Sequence, residues 1–174
     1  MINRDLQINL EFLALFFSIP DDDFYKRVYQ GDTPAGEINS DSSENEFCES
    51  MAVETTDLFV NSKDKNTIHP LKTTFISSDD EKREVLESLT SEYDNLGLKV
   101  QAFPPDHLKV MYEFMLHRLN NADLSGILNF YNRHIKNWTE TMSGCIIERK
   151  PSLFFVRIAE LMRTVNRHLE RLVH

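Results

Sequence analysis

A chain of 174 residues with 41% hydrophobic and 10% aromatic content is long enough for one domain with a real core and is not of a disordered type. Its 28 acidic residues against 19 basic ones leave a net charge of −9, which argues against a nucleic-acid binder. Five glycines and six prolines are too few for a many-turned β sandwich, no apolar run approaches the ~20 residues of a spanning helix, and Met1-Ile2-Asn3-Arg4-Asp5 lacks the pattern of a signal peptide. A soluble cytoplasmic protein is expected, without stable insertion into a membrane. Cys48 and Cys145 lie far apart and belong to no CxxC, so neither a disulfide framework nor a zinc site is implied.

The charge is unevenly spread. Residues 1–98 hold 21 acids and 8 bases, whereas residues 99–174 hold 7 acids and 11 bases. The imbalance serves solubility, or it steers a partner with a basic segment toward the protein.

In chain order, residues 3–19 predict a first helix. Leu6, Leu10, Leu13 and Phe17 mark one stripe, and Phe12, Leu15, Phe16 and Ile19 widen it until the second half is apolar nearly all round, as in a buried helix. Pro20 and Asp21-Asp22-Asp23 end it and open a short second helix through about Tyr29. Gly31, Pro34 and Gly36 break the pattern. Residues 37–57 carry seven acids, no bases and a serine cluster at Ser40, Ser42 and Ser43. From Glu44 on, Phe47, Met51, Leu58 and Phe59 share a helical face. Residues 60–76 read as a polar turn, Asn61 to Asn66, followed by an ordered loop. Its strand-like stretch, Ile68 to Phe75, has a proline and no obvious partner.

Ser77 or Ser78 suits an N-cap, and Asp79, Asp80 and Glu81 suit a first turn. That helix is expected to run to Leu96, with Val85, Leu86, Leu89, Tyr93 and Leu96 inward and Gly97 as its stop. Phe103-Pro104-Pro105-Asp106-His107 forms the sharpest corner of the chain. The prolines disfavour helix at Phe103 and Pro104, while Pro105 suits a first helical position, with Asp106 in the first turn. The helix is expected over 105–119. Another follows over 122–138, with Leu124, Ile127, Leu128, Tyr131, Ile135 and Trp138 inward. A less regular stretch contains Gly144 and ends at Lys150-Pro151. A last helix covers 151–172 with Phe154, Ile158, Leu161, Met162, Val165, Leu169 and Leu172 inward. The fold class is all-α, a compact bundle of about seven or eight helices. It is read as a single domain, 1–174, in which the acidic N-terminal residues 1–98 and the helical C-terminal residues 99–174 meet at a hinge near 97–104.

No GxGxxG, Walker A, HExxH or GxSxG is present, and no two histidines stand at the i, i+4 spacing of a helical metal site. No catalytic residue, metal or cofactor is expected, and the protein is not read as an enzyme. Two readings of Asp106 and His107 stay open. In one, Asp106 satisfies a helix start and His107 is a half-exposed surface residue. In the other, the pair is a recognition corner in which Asp106 accepts hydrogen bonds from a guanidinium and His107 offers a flat contact. Trp138 and the tyrosines fall on apolar stripes and read as core.

The corner also resembles a family. The TorD/DmsD-like redox-enzyme maturation chaperones carry a Pro-x-Asp-His motif opening a helix and then an apolar run. This chain reads Pro104-Pro105-Asp106-His107-Leu108 and then Tyr112-Glu113-Phe114-Met115. Leu58-Phe59-Val60, Tyr93 through Gly97-Leu98, His134-Ile135-Lys136-Asn137-Trp138 and the final helix from Pro151 are similar to family features in the same order. The resemblance implies a helical cytoplasmic chaperone that binds the twin-arginine leader of a molybdenum-cofactor oxidoreductase subunit before export; some members of the family also contact the mature part. The partners implied are that leader and the apo form of the subunit, with the chaperone a monomer or a domain-swapped dimer. The implied peptide site comprises Asp106, His107, Pro105, Leu71, Phe75 and Leu108, in a groove between the loop 68–75 and the helix after Pro105. Two departures stand out: Phe103 replaces a frequent Glu, and Lys72-Thr73-Thr74 replaces the usual Glu/Gly-Ser-Val. The alternative is a generic α-helical interaction domain in which Asp106 only caps a helix.

Overall fold

A computed structural model describes residues 4–18, 20–36, 38, 41–60 and 67–172. Eight α-helices follow one another: α1 (Arg4–Phe16), α2 (Asp22–Tyr29), α3 (Glu44–Thr55), α4 (Asp79–Asp94), α5 (Leu108–Asn120), α6 (Leu124–Phe130), α7 (Lys136–Glu148) and α8 (Leu153–Leu172). A π-helical turn, Tyr131–Ile135, joins α6 to α7 without a break, and another, Thr56–Val60, extends α3. The fold is all-α. Among the described residues the nearest approach to a sheet is an isolated antiparallel bridge between Leu71 and His107. None of the described helices is long and apolar enough to cross a membrane.

The helix starts follow capping chemistry. Asp21 accepts from the Phe24 amide, Ser78 from the Glu81 amide and Asp123 from the Gly126 amide. Ser43 and Glu46 form a reciprocal capping box, so the acid run at the start of α3 serves that helix end. Gly31, Gly36 and Gly97 turn the chain at positive φ. Leu6, Leu10, Leu13, Phe16 and Phe17 of the first segment are buried, and α1 packs on α5 and α8. Phe47, Met51, Leu58 and Phe59 are buried together as their shared face requires. The α7 and α8 helices pair along Trp138, Thr139, Met142 and Ile146 on one side and Phe155, Ile158, Met162 and Val165 on the other. The amide of Ser152, just ahead of α8, donates to Glu54 of α3 at 2.7 Å.

Several boundaries differ from the sequence expectation. The fifth helix starts at Leu108 and not at Pro105, because residues 106–108 are taken up by the bridge to the loop. There Lys72 N donates to the Asp106 carbonyl at 3.2 Å and Leu108 N to the Pro70 carbonyl at 2.9 Å. Gly144 lies inside α7, which runs on to Glu148. The buried face against α8 outweighs the ~1 kcal/mol that one helical glycine costs. The helix α4 ends at Asp94, and only Leu89 and Tyr93 on it are buried, with Val85 and Leu86 half-buried and Leu96 exposed. Leu15, Leu124 and Leu172 are likewise exposed, each near a helix end where the core no longer covers it. The polar turn Asn61–Asn66, Ser40 and Ile19 lie outside the described residues.

Candidate functional site

The α5 entrance is organised by two buried polar side chains. Asp106 is 1% exposed and His107 8%. The Asp106 carboxylate does not cap α5. Its Oδ2 accepts from the backbone amide of Thr73 at 2.8 Å and from Thr73 Oγ1 at 2.6 Å. Thr73 sits in the 3₁₀ turn Lys72–Phe75, so the acid clips this loop onto the start of α5. The cap is His107. Its backbone is extended, and its Nδ1 accepts from the Lys109 amide at 3.2 Å. An accepting Nδ1 places the ring proton on Nε2 and requires a neutral imidazole. Burial pushes the His107 pKa down to about 4, against the opposing pull of Asp106. Phe103 packs on the same ring with centroids 4.6 Å apart.

His107 also lines an apolar groove, a depression of about 370 Å³. One wall is the end of the first helical segment, Phe16, Phe17 and Pro20. A second is Thr55, Thr56, Phe59 and Val60, where α3 passes into its π-turn. The third is Pro70, Leu71, Phe103, Pro104 and His107, with Tyr25 and Ala52 completing the lining. Phe16, Phe17 and Phe59 meet edge to face, at 5.7 and 5.8 Å between the two phenylalanines of the first segment and Phe59. The groove also holds a buried polar pair, Tyr25 Oη to Thr55 Oγ1 at 2.6 Å. Burial raises the Tyr25 pKa to about 12, so the phenol stays neutral and keeps its proton. Acids stand beside this apolar surface in the chain: Asp21, Asp22 and Asp23 directly follow Pro20, and Asp57 directly follows Thr56. All four are exposed.

The six residues expected in the peptide site are thus divided. Leu71 and His107 line the groove. Asp106 stands behind it and holds the loop. Leu108 is fully buried in the core beneath. Phe75 turns away and packs on Trp138, 5.7 Å between ring centroids. Pro105 lines a separate cleft with Tyr93, Leu98 and Val100, and its carbonyl accepts from Tyr93 Oη at 2.8 Å. The rest of the groove lining, with Phe16, Phe17, Tyr25, Thr55 and Phe59 among it, is not expected as site from the sequence. One signal for it exists in the sequence: the apolar excess at the end of the first helix, more than one buried stripe requires.

Of His107's two readings, half-exposed surface residue and recognition corner, burial removes the first. Behind the loop lies a second polar cluster. His134 and Arg133, in the π-turn, both reach Glu92 of α4, and Arg118 of α5 pairs with Asp123.

Comparison with known proteins gives three results. No curated protein sequence matches the chain. A crystal structure described as that of a redox enzyme maturation protein from Archaeoglobus fulgidus shares the fold, with a TM-score of 0.55 and 22% identity over 97% of this chain and 94% of that one. Residues 29–143, from the end of α2 to the later turns of α7, match the family described as nitrate reductase delta subunit, and the chain belongs to that family of redox-enzyme maturation proteins.

Proposed function

We propose that this protein is a cytoplasmic chaperone that takes the twin-arginine leader of a molybdenum-cofactor oxidoreductase subunit into the groove between the first helical segment, α3 and the loop Ile68–Phe75. It works by binding and not by catalysis, and it holds the apo subunit back from export until its cofactor is in place. The observation that carries this reading is the groove itself: an apolar depression made of aromatic rings, with exposed carboxylates at Asp21–Asp23 and Asp57 adjoining it in the chain. A leader of this kind has a basic region and then an apolar stretch. The acids attract the first and the groove buries the second. Asp106 acts by holding the loop, and His107 and Leu71 supply contact surface.

Calorimetric titration with synthetic twin-arginine leaders and their Lys-Lys variants tests the reading. Micromolar or tighter binding to one leader is expected. It should weaken with salt and in Leu71→Asp or His107→Ala. Failure of every leader from the source organism to bind would remove the leader reading and leave a helical interaction domain with a different partner. A mass measurement in solution tests the oligomeric side of the proposal: a monomer, or a dimer exchanging helices about 97–104, is expected, and a larger assembly would count against it.

A further inference from the structure

The loop Ile68–Phe75 has two sides. Pro70 and Leu71 belong to the groove wall. Lys72, next in the chain, turns to the bundle instead. Its Nζ lies 3.2 Å from the Arg133 carbonyl oxygen and 3.5 Å from His134 Nδ1. An ammonium group has only donors, so Nδ1 must be the acceptor and the ring proton must sit on Nε2. That proton points to Glu92 Oε1 at 3.0 Å. The same carboxylate accepts from Arg133 Nη1 at 3.2 Å and faces Arg118 Nη2 at 3.9 Å. Side chains of His134 and Glu92 are 2% and 19% exposed. Both neighbours are therefore satisfied by one tautomer of a neutral imidazole. None of the three residues lines the groove.

Beside the backbone bonds of the bridge, Lys72 and Thr73 attach the loop through their side chains. Thr73 is held by Asp106, and Lys72 by His134 together with the Arg133 carbonyl. We propose that Glu92, His134 and Lys72 form a part-buried relay that fixes the position of the groove-forming loop, so that three positioning residues outside the groove set its affinity for the partner segment. The proposal rests on the leader-binding reading for its partner, though not for its test of loop position.

The charged groups facing His134 are Glu92 on α4, Lys72 on the loop and Arg133 beside it, with Arg118 of α5 reaching it through Glu92; the Phe130 ring covers the imidazole at 5.1 Å. Burial, then Lys72 and Arg133, hold the imidazole below its ordinary range against the pull of Glu92. A proton arriving on Nδ1 would remove one of Lys72's two acceptors, leaving the Arg133 carbonyl, and set an N–H against an ammonium. The relay is closed at neutral pH and opens on the acid side.

The test uses the full chain, a twin-arginine leader and Trp138, the single tryptophan, whose ring touches Phe75 of the loop. Lys72→Met and His134→Gln are each expected to weaken leader binding about tenfold, and the double variant no more than either alone. Wild-type affinity should fall as pH drops from neutral, while Lys72→Met shows no such pH dependence. Affinity within about twofold of wild type in a Lys72→Met protein with unchanged far-UV dichroism would overturn the proposal. If wild type binds no leader, the leader reading fails but the relay is still judged. Amide exchange at Thr73–Phe75 and the pH profile of Trp138 emission then decide. Both must change in Lys72→Met, and unchanged values would sink the relay.

Discussion

The entrance of α5 and the π-turn ahead of α7 each bury a histidine whose Nδ1 accepts a hydrogen bond. The two sites are otherwise opposite. His107 sits on an apolar wall, with Phe103 stacked against it and its acceptor bond made to the Lys109 amide of its own helix. His134 sits in an ionic network and joins α4 to the loop through Glu92 and Lys72. The difference teaches where each acts. His107 finishes a helix start and offers a surface, a local task. His134 connects three segments distant in sequence, so its state reaches beyond its own turn.

The largest expected effect comes from the residue that ties the loop to the first of these regions. Asp106→Ala leaves the Thr73 amide and hydroxyl without their acceptor and frees the loop from the α5 entrance. A loss of about 3 kcal/mol in urea unfolding is expected, much of it recovered in Asp106→Asn, which keeps an acceptor. A cost below about 1 kcal/mol would show that the loop is held mainly by the His134 side.

Next is Glu92→Leu, which leaves the buried His134 proton and the Arg133 guanidinium without their carboxylate, while Arg118 keeps Asp123. About 2 kcal/mol is expected by the same measurement. Parity with Asp106→Ala would erase the ranking of the two regions.

The pH dependence follows in size. Both histidines are held below 6.5 when folded, so the unfolded chain takes up their protons first. Their contribution is complete above the unfolded value and is lost as pH falls through it toward about 4, the His107 limit. The slope is at most about 1.4 kcal/mol per pH unit for each histidine. Chemical unfolding at a series of pH values checks this, and a flat profile between neutral and pH about 4 would contradict both buried neutral rings.

The smallest effect is expected from His107→Asn. Asparagine is a good N-cap, so stability at neutral pH should stay within about 1 kcal/mol while the His107 share of the acid limb disappears. In His134→Asn no such recovery is expected, because a shorter side chain cannot reach both Glu92 and Lys72.

Much of the fold was legible before any coordinates. The cap at Ser78, the short helix opened by Asp21–Asp23, the stop at Gly97 and the stripes of α1, α3 and α8 follow from side-chain chemistry within one or two turns. The α5 entrance was legible as a break but not as a structure. Asp106 has the position of a dipole-favoured acid, and only the arrival of Thr73, 33 residues earlier in the chain, takes its carboxylate elsewhere. The groove was only half visible. Leu71 and His107 lie beside the motif, whereas Phe16, Phe17, Tyr25 and Phe59 are apolar side chains whose helical spacing also fits core.

By itself the sequence determined the all-α class, several helix starts, the family and the corner at Phe103–His107, because these depend on periodicity, caps and short motifs. The tertiary structure alone decided that Asp106 faces the loop, that Phe75 leaves the groove for Trp138, and that Lys72, His134 and Glu92 meet. Those outcomes depend on which segments pack together. Satisfying buried polar groups across distant segments is a property of the folded whole, and no local spacing records it.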